Sequence, residues 1–76
     1  MTLKTLVQKR DGNIVVITQD ACYNAVNAVG FESMVHPIDK VTKDPDTNKV
    51  LDFLHGADKM SASDNHRKLV ERWRDA

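Results

Sequence analysis

The chain has 76 residues, with 11 Lys plus Arg against 11 Asp plus Glu and a formal net charge of zero, so no net field recommends a polyanion over any other partner. Its length fits one domain spanning 1–76, whose core supplies about 3–5 kcal/mol unless something staples it. Cys22 is the single cysteine, which excludes an intramolecular disulfide and leaves association with another chain, a homodimer first, as the expected source of extra stability. No apolar run approaches the roughly 20 residues of a membrane span, and residues 1–10 lack the features of a secretory leader, so a cytoplasmic protein is expected.

Asp11-Gly12 lies between two β-rich runs, the first at Leu3–Val7 and the second at Ile14–Ile17, and a glycine there suits the positive φ of a tight turn. The pattern predicts a hairpin. A two-residue loop pairs Arg10 with Asn13 and Val7 with Val16, whereas a bulge at Gly12 slips the pairing by one residue and exchanges the faces; both remain open. Ile14-Val15-Val16-Ile17 is apolar at every position, as a strand covered on both faces would be.

Asp20 is a capping residue for a short helix in which Cys22, Ala25, Val26 and Val29 recur at helical spacing before Gly30. Cys22 then reads as a small buried hydrophobe and Tyr23 as an outer-face residue. Pro37 demotes the stretch from Phe31 to Val41 to an edge strand, because proline has no donor for a ladder. Residues 41–54 read as a second hairpin, with Pro45 at a corner and positive φ expected at Asn48. A helix starting near Thr47 is the competing reading, since Val50, Leu51, Phe53 and Leu54 also share one helical face. Ser63 is the expected cap of a last helix with His66, Leu69, Val70 and Trp73 on its apolar stripe, Asp64 at its start, Arg72 and Arg74 at its end, and Arg67 paired with Glu71.

The predicted fold is therefore α+β: a ββαββα-type domain with an antiparallel four-stranded sheet and two helices packed on one face. Either Ile14 and Val16 or Val15 and Ile17 then lie on the face away from the helices, where apolar side chains favour self-association.

Signals for chemistry are sparse. Asp44, Asp46 and Asn48 alternate as in a calcium loop, but Lys49 stands where that loop needs glycine and His55 where it needs glutamate, so a plain turn is the better reading. His36, His55, His66 and Cys22 lack the spacing of paired metal ligands, and no serine sits in a glycine elbow; no cofactor, metal or catalytic constellation is expected. The reading that follows is a small non-enzymatic interaction protein, an inhibitor or adaptor of the kind phages use against host machinery, binding another protein through the exposed sheet face or through Arg67, Lys68, Arg72 and Arg74 on the last helix. The alternative is a nucleic-acid-binding module using Lys9, Arg10, Lys40, Lys43 and Lys49 at the hairpin tips together with the last helix, with Trp73 or Tyr23 as a stacking surface. A third is an oligomeric sponge for a small ligand or nucleotide.

Overall fold

In the computed structural model the described residues are 1–21 and 30–75. They form strands β1 (Leu3–Val7), β2 (Ile14–Asp20), β3 (Phe31–Pro37) and β4 (Asp52–Gly56), followed by helix α1 (Lys59–Arg74). The sheet order is β1-β2-β3-β4 and every neighbouring pair is antiparallel, which makes the domain an α+β meander closed by a C-terminal helix. The expectation of two helices is thus corrected to one among the described residues. The stretch expected to form the first helix, with Cys22 and Tyr23, lies outside them.

β2 is interior, as its run of β-branched residues implies; such side chains fit the pleated surface between two neighbours. Its pairing with β1 follows neither expected register. Val7 stands opposite Ile14 and Thr5 opposite Val16, a shift of two residues from the tight-loop reading that leaves the faces unchanged. The turn is wider because Lys9 is drawn out of the ladder. Its N–H bonds the Asn13 side chain at 3.3 Å, and its ammonium bonds the Trp73 carbonyl at 2.8 Å. Gly12 does have positive φ, at 140°, and returns its N–H to the Lys9 carbonyl.

β3 is also interior, contrary to the edge position inferred from Pro37. In extended backbone a residue's N–H and C=O point to the same side, and the Pro37 carbonyl accepts from Asp46 N at 2.8 Å. The missing donor thus faces residue 46, ahead of the start of β4, where no ladder bond is lost. Residues 50–54 are not helical: the strand reading holds from Asp52, while Val50 and Leu51 belong to the preceding connection. Positive φ in that connection falls on Lys43, at 66°, and not on Asn48. Asp39 starts a tight turn by accepting the N–H groups of Val41 and Thr42, and Lys43 N closes it on the Asp39 carbonyl at 2.9 Å.

α1 begins earlier than expected. Its cap is Asp58, whose carboxylate accepts the Ser61 N–H at 2.8 Å, and not Ser63. Arg67 pairs with Asp64, three residues back, in place of Glu71. The apolar stripe is as read: His66, Leu69 and Val70 are buried and Trp73 is half-buried, with Ala62 extending the row. Val7, Ile14, Val16 and Val35 meet Leu69 and Val70 to make the core, with Leu54 and Trp73 at its margin. At Gly56 the helix comes so close that a Cβ there would lie 3.0 Å from Ser61 Cβ and 3.1 Å from Ala62 N.

Candidate functional site

The sheet face turned away from α1 is set by the pleat. Lys4, Ile17, Met34 and Phe53 stand in register as one row across all four strands, and Leu6, Val15 and His36 form the next across β1 to β3. Val15 and His36 are buried, Ile17 and Met34 half-buried, and Leu6 and Phe53 remain 53% and 42% exposed. Val50 and Leu51, also exposed, stand just before Phe53 in the chain. His36 is covered on one side by the connection ahead of β4, since its Nδ1 donates to the Lys49 carbonyl at 2.7 Å. Beyond the Ile17 row comes a polar row of Gln19, Glu32 and His55, in which the Gln19 amide bonds the Glu32 carboxylate at 3.1 Å. An apolar centre with a polar margin is the anatomy of a protein-binding surface.

A second feature lies where the β1–β2 turn meets the connection after β3. Ile38 N bonds the Asn13 carbonyl at 3.0 Å and ties the two segments together. Between them is a cleft of about 190 Å³ that gathers Lys9, Arg10, Lys40 and Lys43 with Asp11 and Asp39. An adjoining hollow of about 280 Å³ shares Lys9 and Lys40 and is walled by Ile14, Pro37, Ile38 and Trp73. The Lys9 ammonium lies 5.6 Å from the Trp73 ring centroid, a cation–π distance. The Thr42 and then the Val41 N–H hold the Asp39 carboxyl below its ordinary 3.8.

Two polar clusters are structural in their contacts. His66 sits between sheet and helix, with Nε2 2.8 Å from Thr5 Oγ1 and Nδ1 2.7 Å from Thr18 Oγ1, which is itself 2.7 Å from Ser33 Oγ. Burial holds the imidazole below its ordinary 6.5. Asp52 ties β4 to the helix end: its Oδ2 accepts from Arg72 at 2.8 Å and from the Trp73 indole at 2.9 Å. Partial burial pushes this carboxyl up, but donors from Trp73, Arg72 and Phe53 together outweigh it and leave it below 3.8.

The structure sorts the residues singled out in the sequence. Lys9, Arg10, Lys40 and Lys43 come together in the cleft; Lys49 does not line it and lies 4.0 Å from Asp46. On the helix, Arg67 and Arg72 are paired within the chain, whereas Lys68 and Arg74 have no acid within ion-pair distance among the described residues. Asp46 accepts the Asn48 N–H at 3.3 Å, the local bond of a plain turn. Among the described residues no group of three or more His, Cys, Asp or Glu is placed to hold a metal ion, and no helix is long and apolar enough to cross a membrane. Asp52 and the Thr5, Thr18 and Ser33 hydroxyls escaped sequence reasoning because their partners are distant in the chain: Arg72 and Trp73 of α1 for Asp52, His66 of α1 for Thr5 and Thr18, and Thr18 for Ser33. Asp58 is of a residue type that caps helices, but the reading placed the cap at Ser63, five residues later. Comparison with protein-family models, with curated proteins and with solved structures returns no match.

Proposed function

We propose that this is a small non-enzymatic interaction protein that works by laying its sheet face against another protein, and that the same face pairs two copies when no partner is present. The observation that supports it is the row of Ile17, Met34 and Phe53 beside Leu6, with a polar margin at Gln19, Glu32 and His55. Contiguous exposed apolar side chains of this kind mark interaction surfaces. Zero net charge fits a partner recognised by shape and burial more than by field.

The test is sedimentation velocity on the wild type, on Leu6→Asp with Phe53→Asp, and on Lys68→Glu with Arg74→Glu, each alone and with a candidate partner. Leu6 and Phe53 are already exposed, so charges there leave the core intact. The expected result is association that the sheet-face pair abolishes and the helix pair leaves alone. Loss of association in the helix pair alone would move the site to the outer side of α1.

A further inference from the structure

We propose that the cleft between the β1–β2 turn and residues 38–43 binds a phosphomonoester carried on a planar apolar group, a ligand of mononucleotide size. This site is separate from the sheet face and does not rest on it. A chain with no net charge has collected Lys9, Arg10, Lys40 and Lys43 around one small concavity, against Asp11 and Asp39. Asp39 already accepts two backbone N–H groups on one oxygen, at 2.7 and 3.0 Å, and is committed to shaping the loop. Arg10, Lys40 and Lys43 have no acid within ion-pair distance among the described residues. With Asp11 and Asp39 counted, the lining holds four cations against two carboxylates, an excess of positive charge that suits an anion.

The backbone points the same way. Lys43 occupies the left-handed region at φ 66°, which a side chain disfavours and glycine adopts freely. A lysine kept in that position places a cation on the cleft wall at the expense of stability, and strain of this sort gathers at ligand sites. Three cations, one a forked guanidinium, can answer the two charges and several oxygens of a dianionic phosphate. The adjoining hollow supplies the second half of the ligand. Its wall of Ile14, Pro37, Ile38 and Trp73 is apolar, and Lys9, bonded to the Trp73 carbonyl and held over its ring, stands where the basic and apolar halves meet. The cleft and the hollow share Lys9, Asp11 and Lys40 on their linings, so a ligand lying across both would set its phosphate and its ring side by side.

The experiment is a titration of the isotope-labelled protein, followed by amide chemical shifts, with inorganic phosphate, adenosine 5′-monophosphate and adenosine. The monophosphate should shift Gly12, Asn13 and Lys40 saturably in the millimolar range or below, inorganic phosphate should shift the same amides more weakly, and adenosine should leave them unmoved. Lys40→Glu with Lys43→Glu should weaken the monophosphate about tenfold or more. Lys43→Gly, which suits the loop backbone while removing the cation, should weaken it severalfold, separating charge from loop geometry. Adenosine binding as well as its monophosphate, or affinity unchanged in both variants, would overturn the proposal. So would an oligonucleotide without terminal phosphates that binds the same amides more tightly than the monophosphate and with a steep salt dependence, since that result assigns the cleft to a nucleic-acid backbone.

Discussion

At the scale of single residues, His66 shows how a polar group is kept in a small core. A neutral imidazole has one N–H and one bare nitrogen, and the chain Thr5–His66–Thr18–Ser33 satisfies both in either tautomer, because each hydroxyl can donate or accept. Protonation would make both ring nitrogens donors, and both threonines can accept; what opposes it is loss of water around the charge, which is why the folded pKa lies below 6.5. The unfolded chain therefore binds more protons between the folded pKa and 6.5, and stability is full above 6.5 and lost as pH falls through the folded value. Urea midpoints should drop between pH 7.5 and pH 5, and His66→Gln should flatten that slope. The Asp39, Asp52 and Asp58 carboxyls, all held below 3.8, act only in a lower, acid window. Thr18→Val strands His66 Nδ1 and Ser33 Oγ in the interior at a cost of about 1–3 kcal/mol, readable from the same denaturation curves. The helical spacing of His66 revealed its burial, but the hydroxyls that make burial tolerable come from β1, β2 and β3, and no local pattern announces them.

At the scale of elements, Asp52 fastens the end of α1 to β4. Asp52→Ala removes the acceptor of both the Trp73 indole and Arg72. Arg72 is half-exposed, so the ion pair contributes little, and the loss should be about 1–2 kcal/mol, most of it from the indole. Because Trp73 is the sole tryptophan, its emission should shift with the same substitution. Asp58→Ala, which uncaps the helix start, should lower helical ellipticity and the urea midpoint. Gly56→Ala should destabilise by about 1–3 kcal/mol, since the added methyl meets backbone and side-chain atoms of α1 at 3.0–3.1 Å. These elements were unequally legible. β2 and the stripe of α1 could be read because β-branching and helical period are local. The β1–β2 register could not, because Lys9 is taken from the ladder by Trp73, 64 residues away in sequence. Pro37 misled for a related reason: a proline bars only the side of the strand toward which its absent N–H points, and that side is a tertiary fact. The cleft was half legible, since Lys9, Arg10, Lys40 and Lys43 flank turns in the sequence, but their convergence depends on the Ile38–Asn13 bond.

At the scale of the whole molecule, one core holds sheet and helix together, and Leu69 is its centre: fully buried and packed with Val7, Ile14, Val16 and Val35. Leu69→Ala should cost about 2–5 kcal/mol, as much as a domain of this size has to give. At low concentration the variant should be largely unfolded by circular dichroism. Association changes that outcome by mass action, adding about 2.7 kcal/mol once the binding partner reaches about 100 times its dissociation constant. If the sheet face pairs two copies, the wild-type urea midpoint should rise with protein concentration, and Leu69→Ala should regain structure as it is concentrated. Adding Leu6→Asp and Phe53→Asp to either background should remove that dependence while leaving the dilute midpoint of the wild type nearly unchanged, since those side chains are exposed in the single chain. A midpoint independent of concentration in every background would show that a second copy does not cover the apolar rows of the sheet. The two outcomes differ in physical consequence: in the first, pairing adds its free energy to that of a small core, and in the second the single chain stands on that core alone.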